Sequence, residues 1–154
     1  MKNTTLCYIE NNEKYLMLHR IKKQNDINRD KWVGIGGKLE DGESPHDCII
    51  REIKEETGLS PINIRYRGLI TFVSSIYETE YMHLFSCNEF EGEIIASCDE
   101  GKLEWIAIND LLSLPMWEGD KIFLSLLKKE KRFFSLKLVY TEDTLTSYSL
   151  HINE

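Results

Sequence analysis

The alternation of apolar and polar positions along the 154 residues predicts strands first, then a short helix, then strands again. Residues 4–10 and 14–20 are two β-compatible stretches joined by the polar turn Asn11-Asn12-Glu13, and the apolar run in the second suggests a strand near the sheet centre. Polar and basic residues 21–31 read as a surface loop. Trp32-Val33-Gly34-Ile35-Gly36-Gly37-Lys38 follows, and glycines inside an apolar strand mean that the backbone bends or that a ligand approaches closely. From Ser44 the rhythm becomes helical. Cys48, Ile49 and Ile53 form an apolar stripe, Ser44 is a good N-cap, Pro45 occupies the first helical position, Asp47 completes a capping box, and Gly58 is placed to end the helix in a left-handed turn.

After Gly58 the period returns to β. Asn63 to Val73, Tyr81 to Cys87 and Gly92 to Cys98 read as strands, with Ser74 to Glu80 as a hairpin loop. Asp99-Glu100-Gly101 precedes a further strand from Leu103 to Ile108. Asn109 or Asp110 caps a short turn, Leu111 to Leu114, stopped by Pro115. A second helix runs from Gly119 or Asp120 to Lys129, with Ile122, Phe123, Leu126 and Leu127 on one face. Phe134, Leu136, Leu138 and Tyr140 alternate as a strand, and Thr144 to Ile152 returns beside it after the turn Glu142-Asp143. No repeat, low-complexity tract or linker interrupts the pattern. Two helices against a mixed β-sheet give an α/β/α sandwich, and the length gives one domain spanning 1–154.

Composition narrows the function class. With 42% hydrophobic and 29% charged residues the chain is an ordinary soluble globular one. It lacks the roughly 20-residue apolar run of a membrane span and any signal-peptide core, so a cytoplasmic protein without a membrane partner is expected. A formal charge of −7 argues against sequence-independent binding to a nucleic acid polymer. Cys7, Cys48, Cys87 and Cys98 show no C-x-x-C spacing, which reads as buried, reduced thiols rather than a zinc site.

The helix after Ser44 carries the chemistry. Glu52, Glu55 and Glu56 are related by i+3 and i+4, so three carboxylates share one side of the helix and repel one another. A solvated acidic face is the bland reading. A hard divalent cation such as Mg²⁺, which takes oxygen ligands, is the chemical one. Arg51 and Glu55 form an i,i+4 pair in which a guanidinium can lock a carboxylate in place.

Gly37, five residues, Glu43, seven residues, then Arg51-Glu52-Ile53-Lys54-Glu55-Glu56-Thr57-Gly58-Leu59 resembles the Nudix box at every position. The resemblance implies a hydrolase of nucleoside diphosphates linked to another group, using Mg²⁺ or alternatively Mn²⁺. It implies Glu52, Glu55, Glu56 and the Gly37 carbonyl as metal ligands, with Glu100 completing the site. It implies that Arg51 orients the ligand carboxylates and Glu43 holds the loop against the helix. Glu56 or Glu100 would accept the proton of the attacking water. Lys22 and Lys23 each read as solvated surface or as a contact to substrate phosphate, and the resemblance implies Lys23 as the loop lysine that approaches the phosphate.

Beyond the box, Trp32-x-Gly34-x-Gly36-Gly37-Lys38, Asp99-Glu100, Met116-Trp117-x-x-Asp120 and the closing hairpin resemble the MutT group, in particular its oxidised-purine nucleoside triphosphatases. That implies a nucleotide substrate contacted by Gly36, Lys38, Phe72, Trp117 and Asp120. Trp117 would stack on the base and Asp120 bond its edge; Phe72 and Trp32 are each either core or part of the base wall. Two positions depart from the group: Gly119 stands where a first aspartate belongs, and Val33 replaces an asparagine. Both departures remove polar base contacts, so 8-oxoguanine readout is weakened while a purine triphosphate stays the expected substrate. The implied role is nucleotide-pool sanitation in the service of DNA repair, as in an 8-oxo-dGTP diphosphatase, by a monomer or homodimer. Rival readings are a dinucleoside-polyphosphate or ADP-sugar hydrolase, for which Tyr77, 18 residues past Leu59, is the only signal, and a catalytically silent nucleotide sensor. A sensor would be expected to have lost carboxylates of the box, and this chain retains them.

Overall fold

The computed structural model describes residues 1–95 and 97–154. β1 (Lys2–Asn11) and β2 (Lys14–His19) are joined by Asn12 and Glu13, both at positive φ, a two-residue turn whose twist matches that of the strands. They pair only beside this turn, at Glu10↔Tyr15 and Asn11↔Lys14. Beyond it they part, and the glycine-bearing stretch enters the gap. β3 (Trp32–Val33) pairs with β2, while Ile35 bridges to Cys7 and Lys38 to Thr4 on β1. Only glycine permits this approach at position 36, where a Cβ would lie 1.9 Å from the Thr5 carbonyl oxygen.

The remaining elements follow in order: α1 (Pro45–Thr57), β4 (Ser60–Pro61), β5 (Arg65–Ser74), β6 (Glu80–Cys87), β7 (Phe90–Glu91), β8 (Ser97–Cys98), β9 (Gly101–Ala107), a 3₁₀ turn (Ile108–Ser113), α2 (Glu118–Lys129), β10 (Phe134–Thr141) and β11 (Thr144–Ile152). Among the described residues the main sheet runs β11-β10-β5-β6-β1-β2-β9-β8, with β3 attached to β2. β1 lies parallel to β6 and β10 parallel to β5, so the sheet is mixed.

Strand alternation sends side chains to two separate cores. Leu6, Tyr8, Tyr15 and Met17 join Phe123, Leu126 and Leu127 of α2, whereas Cys7, Ile9, Leu16 and Leu18 join Ile49 and Ile53 of α1. The predicted α/β/α sandwich is the observed architecture. α1 begins and ends as its residues dictate. Ser44 and Asp47 cap each other's backbone N–H groups, and Gly58, at φ 82°, returns its N–H to the Lys54 carbonyl.

Three expectations need correction. The stretch Gly92 to Cys98 is not one strand: only Phe90–Glu91 and Ser97–Cys98 are extended, and Ala96 lies outside the described residues. Residues 92–95 turn back onto the end of α1, where the Ile95 N–H bonds the Thr57 carbonyl at 3.0 Å instead of a strand neighbour. The glycine stretch is strand only at Trp32–Val33. Glu80 belongs to β6 rather than to the preceding loop, being paired across to Phe72 and Lys2.

Cys7, Cys48 and Cys87 are buried free thiols; the Cys98 side chain lies outside the described residues. No helix among the described residues is long and apolar enough to cross a membrane.

Candidate active site

Arg51 is the hub of the acidic end of α1. Its Nε and one terminal nitrogen donate to both oxygens of Glu43 at 2.7 and 2.9 Å, a bidentate clamp between the loop and the helix. Its other terminal nitrogen donates to Glu52 at 2.7 Å and to Glu55 at 3.2 Å. The clamp holds Glu43 well below the usual carboxylate range, at about 2, through the Arg51 hydrogen bonds and that from the Glu40 backbone. The Arg51 guanidinium is correspondingly held charged.

The three helix carboxylates differ in environment. Glu55 is 60% exposed. Glu52 is largely buried, and its carboxylate lies against the Gly37 backbone, within 2.5 Å of where a Cβ would project. Any residue but glycine would displace it. Glu56 is buried, and burial, followed by the neighbouring Glu100 and Glu52 carboxylates, pushes it up to about 9. Glu100 arrives from the turn before β9 and is held by Arg20 at 3.2 Å, with the Lys23 ammonium 4.0 Å away.

Among the described residues no three acidic, histidine or cysteine side chains converge as a ready-made ion cage. Arg51 draws Glu52 and Glu55 aside, and the Gly37 carbonyl accepts from the Thr5 N–H at 2.8 Å. The donor set nevertheless fits a hard divalent cation. Every group is an oxygen donor, and a cation among the carboxylates would offset the burial and crowding that favour a proton on Glu56.

A cleft of about 370 Å³ opens beside this cluster, a size suited to a small-molecule ligand. Gly36, Gly37, Lys38 and Glu100 line one part of it, and Phe72, Trp117 and Asp120 another. Phe72 stacks on Tyr140 at 4.7 Å and meets Trp117 edge-on at 6.1 Å, so it is both core and wall. The Trp117 indole N–H donates to Asn28 at 2.7 Å, and the Lys31 ammonium stands 4.5 Å from the ring centre. Asp120 is buried; burial, then the nearby Glu80 charge, raises it to about 7 against the opposing pull of Lys31. Trp32 does not line the cleft and instead stacks on His19 at 4.3 Å.

The family model described as the NUDIX domain matches residues 2–127. The chain belongs to the Nudix hydrolases. An uncharacterized Nudix hydrolase of Bacillus subtilis, YvcI, is 34% identical over 97% of this chain and 94% of its own. The oxidized purine nucleoside triphosphate hydrolase of Danio rerio is 32% identical over 83% of this chain and 82% of its own. The crystal structure of the MutT protein of Bacillus halodurans superposes with a TM-score of 0.87, at 32% identity and 97% coverage of both chains. The chain is thus a Nudix hydrolase of the MutT type, a class acting on acid anhydrides of nucleotides.

Three side chains lining or bordering the Nudix cleft were missed in the sequence. Glu80 lies at its wall and accepts from the Thr4 hydroxyl at 2.6 Å, and Asn28 anchors the tryptophan. The alternation Glu80, Met82, Leu84 would have pointed Glu80 to the Trp117 side of the sheet had β6 been started one residue earlier. Asn28 carries no such signal, because it lies in an irregular loop. Gly119 has a structural reason: a Cβ there would meet Leu138 at 2.5 Å and the Tyr140 hydroxyl at 2.8 Å, and that hydroxyl already accepts the Gly119 N–H.

Proposed function

We propose that this Nudix hydrolase cleaves purine (deoxy)nucleoside triphosphates, oxidised purines among them, to the monophosphate and pyrophosphate. It would do so as a single domain, monomeric or homodimeric, on the cytoplasmic nucleotide pool. The observation that carries the reading is one cleft that joins an aromatic wall, Phe72 and Trp117, to Glu100 and Gly37 of the acidic cluster. A planar base and the phosphate chain attached to it need both surfaces at once. The similarity to the Danio rerio enzyme, named for oxidized purine nucleoside triphosphates, supports the same substrate class.

Each residue has a definable task. Arg51 fixes the directions of Glu43, Glu52 and Glu55, so these carboxylates spend little entropy on ordering during turnover. A bound divalent cation, magnesium or manganese, supplies neutralisation of phosphate charge and acidification of a water. Glu52, Glu55, Glu56 and Glu100, with the Gly37 carbonyl, would hold it. Glu56 or Glu100 takes the proton from the attacking water; burial, then crowding by Glu100 and Glu52, raises the proton affinity of Glu56, so it fills that role only in its ionised form. Lys23, exposed and 4.0 Å from Glu100, can turn to a substrate phosphate. Gly36 and Lys38 border the phosphate path. Trp117 offers a ring face to the base and Asp120 a polar group to its edge.

A panel of nucleoside triphosphates, including oxidised purines, together with dinucleoside polyphosphates and ADP-ribose, tests this with Mg²⁺ and detection of pyrophosphate. Purine triphosphates should give the highest kcat/KM with one pyrophosphate per monophosphate. Two nucleotides released from a dinucleotide at higher kcat/KM, or orthophosphate as the product, would overturn it.

A further inference from the structure

A second cleft, of about 620 Å³, lies away from the acidic cluster. The strands show the separation. β1 contributes Thr4 to the substrate cleft and Glu10 here; β5 contributes Phe72 there and Arg65 here; β6 contributes Glu80 there and Ser86 here. On each of these strands the two residues stand six to seven positions apart, so the clefts open toward opposite ends of the strands.

Its charge opposes that of the chain. The protein carries a formal −7, yet five cationic side chains, Lys14, Arg65, Arg67, Lys128 and Lys131, line this cleft against two carboxylates, Glu10 and Glu13. Among the described residues Lys14, Arg65 and Lys131 form no ion pair. Gathering like charges on a concave wall focuses a positive field that an anion would relieve.

A buried group makes the cleft more than a solvated basic surface. Arg67 is 6% exposed. Its terminal nitrogens donate to Ser86 Oγ, the Leu127 carbonyl and the Glu130 carbonyl, so the guanidinium secures the end of α2. Its Nε, buried as well, has no hydrogen-bond partner among the described residues. Unsatisfied buried donors are rare in folded proteins, and one beside a concentrated positive field marks a place for an acceptor.

We propose that this cleft binds a small phosphate-bearing anion, at a site separate from the catalytic one. Arg65 and Lys131 supply mobile charge at the rim, and Arg67 supplies the fixed charge at the wall. The size of the cleft falls in the range of small-molecule sites.

The test is titration of the full chain with inorganic phosphate, followed by amide NMR shifts, in metal-free buffer at constant ionic strength. Saturable shifts should cluster at Asn63, Ser86 and Asn88, with half-saturation near or below about 1 mM. The double variant Arg65→Ala/Lys131→Ala should weaken binding about tenfold or more while leaving Mg²⁺-dependent turnover and the other amide resonances unchanged. Arg67→Ala is avoided as the primary variant because it also frees the end of α2. Absence of saturable shifts, shifts confined to α1 and the Trp117 cleft, or a double variant that binds phosphate like the wild type would each overturn the proposal.

Discussion

Asp120 illustrates how one buried carboxyl couples the substrate cleft to stability. Its native value of about 7 stands above its ordinary 3.8, so between those limits the native state keeps a proton that the unfolded chain has lost. The unfolded state then binds fewer protons, and stability falls as pH rises; the contribution is whole below the ordinary value and gone once pH passes about 7. Glu56 adds a contribution of the same sign up to about 9. Urea midpoints of the wild type should therefore decline from about pH 5 to about pH 8, and Asp120→Asn should decline less steeply. Equal slopes would mean that Asp120 is ionised in the folded protein. At this scale helix spacing made the Arg51–Glu55 pair legible, whereas Glu43, in the loop ahead of α1, was reached only through the resemblance to the Nudix box. Glu80, Thr4 and Asn28 were not legible, because three distant segments bring them together and only the order of the strands decides which meet.

Among the elements, α1 was fully legible, since its caps and its stripe are local signals that tertiary packing leaves unchanged. Residues 92–95 were misread because their partner is the end of α1, a contact that no periodicity encodes. The start of α2 is set by packing rather than by a side-chain cap. Trp117 precedes its first residue without capping it, and the Tyr140 hydroxyl receives the Gly119 N–H. Gly119→Ala should lower stability by about 1–3 kcal/mol, because its Cβ must push Leu138 or Tyr140 aside. Thermal unfolding would read this as a lower Tm. An unchanged Tm would show that α2 can shift without cost, and that the small residue here is not a packing requirement.

On the scale of the molecule, the mixed sheet carries two cores and leaves the carboxylates of α1 crowded at one end, in a chain of net charge −7. The layered layout was legible from two amphipathic helices set among many strands and from the apolar run in β2, which is buried on both faces. The parallel pairings of β1 with β6 and β5 with β10 were not, because nothing in a strand's own residues names its neighbour. Crowding predicts that a divalent cation stabilises the fold by mass action, by about 2.7 kcal/mol at a hundredfold excess over its Kd. The Tm should rise with Mg²⁺ or Mn²⁺ in the wild type and not in Glu52→Gln/Glu56→Gln. A rise of equal size in both proteins would place the cation elsewhere.

Turnover by Glu56→Gln in saturating Mg²⁺ and purine triphosphate bears most directly on the role given to the acidic cluster. The amide occupies the same volume and lacks the charge that burial disfavours, so the variant should fold at least as stably as the wild type. Its kcat should fall by about 10²- to 10⁴-fold, the loss expected when a positioned proton acceptor is removed. A folded Glu56→Gln that kept the wild-type kcat would contradict the account.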